Sequence, residues 1–234
     1  ENYSCTKIKK SKSFINRRNY FEFVNIKEVP SKDKPNYLDL EVEVEEKPTG
    51  YFSIQGGYSS VEALLLGVQI QENNLFGYGK SLGASVTVGT VSQNFLIDYF
   101  DPYFLDTSYQ FGLQLFKREY QYIDYDRARW GGVLQFGKEL NTWTFARLKY
   151  RFESIKVDDL NSVATEVLQE SKDKISSVTL GLTYDTRDNF MDPSKGISSS
   201  LYIQESNSYL GANLHFTEYT ACLLYTSPSP RDLL

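Results

Sequence analysis

Histidine is almost missing from these 234 residues: His215 stands alone. With one imidazole, histidine metal cages and most nucleophile–base pairs are unavailable. Two cysteines, Cys5 and Cys222, are too few for a disulfide framework. No run approaches the roughly 18 apolar residues of a membrane helix, and the mean hydropathy is negative. Positive charge is not in excess: 25 Lys and Arg face 30 Asp and Glu, for a net charge of -5, which argues against nucleic acid as a partner. The chain opens without Met and without a signal peptide, as expected of a mature exported chain or a fragment. What it does have is aromatic rings, 18 Tyr and 15 Phe among them. That is high for a soluble protein and suits aromatic girdles at a membrane surface.

The organising stretch runs from Leu38 to Ser60. Its first half alternates Leu38, Leu40, Val42 and Val44 with Asp39, Glu41, Glu43 and Glu45, the period of a strand with one wet and one buried face. Pro48-Thr49-Gly50 breaks the pattern. Alternation resumes without charge, Phe52, Ile54 and Tyr58 against Ser53, Gln55 and Gly57. The break reads as a handover from a small soluble unit to a membrane β-barrel.

Before the break, Thr6 to Arg18 predicts a short helix capped by Ser4 or Thr6, with Ile8 and Ile15 on one face. Its lysines Lys7, Lys9, Lys10 and Lys12 read as a solvated face. Tyr20 to Val29 and Leu38 to Glu46 predict two strands, joined by a turn-rich connector over Pro30 to Asn36. After the break, strands recur with turn signals between them. One apolar set holds Leu64, Leu66, Val68, Leu82, Val86, Val88, Leu148, Tyr150, Leu180 and Leu182, expected to face lipid. Arg147, Lys149 and Arg151 alternate with Leu148 and Tyr150 and are expected to face the lumen. About ten strands of membrane-crossing length follow, the last near Leu210 to Tyr219.

Alternation also fits a soluble β-sandwich. Two features favour the barrel. A sandwich core does not hold three unpaired cations, whereas a barrel lumen is wet. The connections near Asn73, Pro102 and Asn141 are expected to be short, and those at Tyr120 to Asp126 and Val157 to Asp173 longer, which is the barrel habit.

Motifs that mimic chemistry are weak. Asn74 to Ser81 imitates the end of a phosphate-binding loop but lacks the first glycine and leads into a strand, so it reads as a turn. Asp185-Thr186-Arg187-Asp188 reads as an ion-paired turn rather than a metal site. Asp158 and Asp159 read as part of a solvated loop. No catalytic, cofactor or metal residues are assigned, and no enzyme activity is expected.

Phe14 to Val29 is similar to the last helix and following strand of a POTRA domain. Lys47 to Ser60 resembles the junction into the barrel in the BamA family of outer-membrane insertases, as do Asn74-Leu75-Phe76-Gly77-Tyr78-Gly79, Asp101-Pro102-Tyr103-Phe104, Tyr184 to Asp188 and Asp192 to Gly196. The resemblance implies a mainly β chain: a partial, open, antiparallel transmembrane β-barrel over residues 49–220, preceded by an incomplete α+β POTRA domain over 1–48. Residues 221–234 lose the alternation and resemble adaptor-derived, non-native sequence. It further implies a barrel in the Gram-negative outer membrane with the N-terminal segment in the periplasm. The expected role is insertion of unfolded β-barrel clients through a seam beside Tyr51, Phe52, Ser53, Ile54, Gln55, Gly56, Gly57 and Tyr58. The expected partners are outer-membrane lipids, those clients, and periplasmic lipoproteins docking on the POTRA domain. No cofactor and no nucleic acid is expected. A two-partner secretion pore of the same superfamily, or a passive porin, is the alternative.

Overall fold

The computed structural model describes residues 4–17, 20–31, 37–160, 171–188 and 193–225. An N-terminal unit comes first. Helix α1 (Cys5–Arg17) starts at Ser4, whose carbonyl accepts the amides of Lys7 and Ile8. It packs on β1 (Phe21–Pro30), where Val24 is buried. β1 pairs antiparallel with β2 (Leu38–Glu46), Val24 opposite Val44 and Ile26 opposite Val42. On this small sheet Lys27 donates to Glu43 across the strands, which lowers the carboxyl below its usual range. Both side chains are exposed, so the pair contributes little stability. Residues 32–36 of the expected connector lie outside the described residues.

The rest is one antiparallel sheet of ten strands in chain order: β3 (Gly50–Ser59), β4 (Ala63–Leu75), β5 (Lys80–Gly89), β6 (Ser92–Asp101), β7 (Tyr109–Gln121), β8 (Asp126–Asn141), β9 (Thr144–Asp158), β10 (Ser171–Asp185), β11 (Ile197–Ser206) and β12 (Phe216–Tyr225). Every neighbour is the next strand in sequence, so the sheet is a meander that leaves β3 and β12 as its two edges. It does not close on itself.

The N-terminal unit meets the sheet at the end where β3 begins, here the near end. Tyr20 Oη donates to the carbonyl of Gly79 in the β4–β5 turn, 3.3 Å away. That turn is closed by Gly77 N to Asn74 O at 2.9 Å and by Gly79 N to Asn74 Oδ1 at 2.7 Å. Phe76, Gly77 and Gly79 take positive φ there, and the amides of Gly77, Tyr78 and Gly79 are all donated within the segment, so it is a tight turn and not a phosphate cradle.

Three expectations need correction. Far-end connections at 60–62 and 90–91 are as short as the near-end turns, and the near-end connection at 186–196 is long. The expected longer loop after Tyr120 is only 122–125, shorter than the near-end connection at 102–108, so the alternation of loop lengths holds only for the far-end connections at 159–170 and 207–215. The last strand is Phe216–Tyr225, because Ser208–Leu210 forms a 3-10 turn capped by Asn207. Strand pairing also continues past residue 220: Leu201 faces Ala221, Ser200 faces Cys222 and Ile197 faces Tyr225. Backbone hydrogen bonding does not require side-chain alternation, so the first five residues of the 221–234 segment belong to the sheet. Residues 226–234 lie outside the described residues.

Candidate gating edge and the two faces of the wall

Register, not local propensity, assembles the two faces. Because neighbours pair one to one, each row of side chains runs straight across the sheet. One row joins Phe52, Ile70, Ala84, Ile97, Leu115, Gly132 and Phe152. Another joins Leu134, Tyr150, Val178. Leu148 faces Leu180, which faces Ile203; Ala146 faces Leu182, which faces Leu201. Leu64, Leu66 and Val68 on β4 and Leu82, Val86 and Val88 on β5 lie on this same apolar face. All ten side chains expected to face lipid are thus gathered on one side of the sheet.

The sheet buries almost none of them. Among the described residues only Val24 and Ala212 are buried apolar residues, while Leu180, Ile97 and Leu66 are about half exposed. A soluble sandwich would hide such rows against a second sheet. Charged residues on the apolar face occur only toward its two ends. At the near end are Glu72, Lys80, Asp101 and Lys138; at the far end are Lys117, Glu119, Asp126, Lys156, Asp158, Lys172, Lys174 and Glu205. Near-end charges are tied down: Lys80 to Asp101 at 3.1 Å, and Lys138 Nζ to Tyr109 Oη at 2.9 Å. Between Lys138 and Trp130 on β8 lie roughly 26 Å of strand without a charge. A girdle of rings marks the near boundary: Phe104 stands 4.8 Å from Phe111, and Phe111 5.2 Å from Phe136. Inside the band, Tyr150 and the fully buried Ser176 satisfy each other at 2.8 Å, as polar groups away from water must.

The opposite face is polar. Arg147, Lys149 and Arg151 project from it, in rows with Gln110, Gln135 and Ser177. One of the three has a carboxylate partner among the described residues. Arg151 reaches Glu153 at 3.9 Å, and Arg129 reaches the other oxygen of that carboxylate at 3.5 Å. Glu153 is nearly buried and was missed as a partner because it follows Arg151 at strand spacing, a pattern that also fits a plain wet face.

β3 is different from the interior strands. Among the described residues it pairs on one side only, with β4. Phe52, Ile54, Gly56 and Tyr58 stand on the apolar face; Tyr51, Ser53, Gln55 and Gly57 stand on the polar face. Ile54 is 71% and Tyr58 83% exposed. Close packing does not force the glycine pair: a Cβ at Gly57 would meet nothing within 4 Å, and one at Gly56 only Leu66 at 3.8 Å. β3 is therefore a sparsely packed strand at one margin of the described sheet, as β12 is at the other.

The other sequence motifs are structural. Arg187 clamps Asp185 through Nε, at 2.9 and 3.1 Å, and the amides of Ser194 and Lys195 close the turn on Asp188. Asp192 lies outside the described residues. No cluster of three or more metal-binding side chains occurs among the described residues.

An uncharged apolar band on one face, a polar face behind it, ring girdles and meander connectivity define the wall of an outer-membrane β-barrel protein. Residues 74–229 match the Omp85 superfamily domain, so the chain belongs to the Omp85 superfamily. It is similar to the outer membrane protein assembly factor BamA of Nitratidesulfovibrio vulgaris, 28% identical over 197 residues, covering 83% of this chain and 25% of that protein. The BamA of Neisseria meningitidis serogroup B is 25% identical over 118 residues, 50% of this chain and 15% of its own length. The chain thus spans about a quarter or less of these relatives. The crystal structure of BamA from Haemophilus ducreyi lacking POTRA domains 1-3 superposes with a TM-score of 0.65 at 19% identity, over 86% of this chain and 42% of that one. CdiB from Acinetobacter baumannii superposes with 0.61 at 14% identity, over 92% and 42%. Those two likenesses establish the fold alone.

Proposed function

We propose that this chain is an interior part of an assembly factor, the end of a POTRA domain and the first strands of its barrel, that inserts β-barrel proteins into the outer membrane through a seam beside β3. In this reading the apolar face meets lipid, the polar face lines the lumen, and the near end with its α+β unit, the end of a POTRA domain, lies in the periplasm. The observation that carries the reading is the loose packing of β3, where Ile54 and Tyr58 are exposed and a Cβ at Gly57 would meet nothing within 4 Å. An open strand edge offers main-chain hydrogen bonds to an incoming strand, and the Gly56-Gly57 pair loosens both order and packing. A client strand adds to that edge, buries its own backbone groups, and moves sideways into lipid without ever exposing them to hydrocarbon. Periplasmic lipoproteins docking on the POTRA domain belong to the same reading. The step is strand exchange, with no covalent chemistry and no cofactor. The likeness to CdiB rests on fold only and gives the secretion-pore alternative no particular support.

The test is a tether. In the full-length protein, a disulfide between a cysteine in β3 and one in the closing strand is expected to stop client insertion, and reduction to restore it. Undiminished insertion with the tether fully oxidised refutes the gating role.

A further inference from the structure

β3 is clasped at both of its ends. At the near end, Glu72 on β4 lays its carboxylate over Gly50, the first residue of β3, where a Cβ would meet Glu72 Oε2 at 2.7 Å. Thr49 Oγ1 donates to that carboxylate, and so does the amide of Asn74, at 2.9 Å. The amide and the side chain of Asn73 both donate to the carbonyl of Thr49, at 3.4 and 3.0 Å. At the far end, Glu62 in the β3–β4 turn reaches the β5–β6 turn. Its amide donates to Ser59 Oγ at 2.9 Å, its carbonyl accepts from the amide of Thr90 at 3.3 Å, and its carboxylate accepts from the amide of Val91 at 3.4 Å. Gly89 leaves room for it, since a Cβ there would lie 2.1 Å from Glu62 Oε2. The carbonyl of Val91 accepts from the amide of Gln121 at 2.8 Å, so the far clasp runs on to β7.

Between the clasps, little fixes the register of β3 on β4. A one-residue slip would turn every side chain to the wrong face, but a two-residue slip keeps the faces, and only side-chain fit resists it. In the middle of β3 that fit is missing, because Gly56 and Gly57 carry no side chains and Ile54 and Tyr58 are exposed. The cross-strand hydrogen bond from Gln69 to Tyr51 is itself exposed. A slip that sets Ser53 against Gln71 in place of Gln69 restores the backbone ladder in the middle of the strand. It also pulls Thr49 out of reach of Glu72 and Asn73, and it rebuilds the turn that holds Glu62. The ends of β3 therefore hold the register that its middle does not.

We infer that Glu62 and Glu72 are positioning residues for strand exchange: together they hold β3 in one register on β4, so that a client strand added at β3 takes its register from a fixed template. The inference rests on the seam proposed above. Neither glutamate touches the client; both act through β3. Register matters because it sets height as well as face. A template two residues out of place shifts the apolar band of an added strand by roughly 7 Å along its axis, which moves residues at the band's end out of hydrocarbon and polar ones into it.

The experiment uses the full-length protein folded into lipid vesicles, with Cys5 and Cys222 replaced by serine. Two cysteine pairs report register: Ser53 with Gln69, the native partners, and Ser53 with Gln71, the slipped ones. Glu62→Ala with Glu72→Ala is expected to raise the slipped disulfide by about tenfold and to lower client insertion. Glu62→Gln with Glu72→Gln keeps an acceptor at each site and is expected to restore native pairing. Gly50→Ala with Gly89→Ala evicts both carboxylates without removing them and is expected to slip as the Glu62→Ala, Glu72→Ala variant does. Heat-modifiable mobility counts folded barrels, so a merely structural loss lowers yield without raising the slipped fraction among them; if the glutamate variant does not fold, the glycine variant decides. A slipped fraction unchanged in the folded variants overturns the inference. Slippage with undiminished client insertion overturns the passing of register to clients. The tether between β3 and the closing strand, tested in parallel, reports the seam separately.

Discussion

Val68 and Gln69 are adjacent on β4, near its middle, and point to opposite faces. Val68 is 45% exposed on the apolar face, between Ile54 and Val86. Gln69 stands on the polar face between Ser53 and Ser85, and its amide donates to Tyr51 Oη at 3.1 Å. Arginine at Val68 must leave its guanidinium in hydrocarbon or stretch toward a headgroup several residues away. The cost at this depth is about 2–4 kcal/mol, a factor of roughly 30 to 700 in the folding equilibrium at 1.4 kcal/mol per decade. Arginine at Gln69 enters a wet lumen and loses one exposed hydrogen bond, about 0.5–1.5 kcal/mol. Denaturant titration of the full-length protein folding into lipid vesicles measures both. Val68→Arg is expected to be the more destabilising by at least about 0.5 kcal/mol. Equal costs, or the reverse order, refute the assignment of faces on which the wall depends.

Two further predictions concern β3 and the near-end turn. Gly57→Val meets no steric obstacle and adds β-propensity, so it is expected to tighten β3–β4 pairing by up to about 1 kcal/mol; hydrogen exchange of the β4 amides should slow by about fivefold and client insertion should fall, whereas faster exchange with normal insertion contradicts a role for loose packing. Arg187→Ala removes a clamp in which both side chains are mostly buried, and is expected to cost about 2 kcal/mol in the same vesicle titration; a loss below about 0.5 kcal/mol would show that the turn is held by Asp188 and its amide partners instead.

The apolar face is legible because period-two alternation runs through β4, β5, β9 and β10, and one-to-one register then stacks Leu66, Val68, Val86 and Leu180 without further information. β2 was read to its last residue, since the switch from Glu46 to Pro48 is abrupt. β8 was legible only around Leu134 and Phe136. Its outer half, Arg127 to Gly132, mixes arginines with a glycine pair and has no period of its own; pairing to β7 and β9 imposes the strand. The lysines at the ends of the apolar face were illegible for a different reason. Alternation says which face a residue takes but not its height, and Lys117 and Lys138 are tolerated because of height. Glu153 was hidden because an ion pair across neighbouring strands needs the register that sequence does not print. Strand β12 starts later than its sequence suggests because the Ser208–Leu210 turn occupies the expected start, and it runs past Ala221 because the ladder is a backbone property.

The claim that β3 receives client strands is tested most directly by photocrosslinking in the full-length protein. A photoreactive side chain is placed at Ile54 on the β3 edge, and as a control at Leu134, on the same apolar face but in the interior strand β8. With a client barrel stalled during insertion, adducts are expected at Ile54 and not at Leu134. Client adducts at Leu134 equal to those at Ile54, or none at Ile54 while insertion proceeds, would contradict the account.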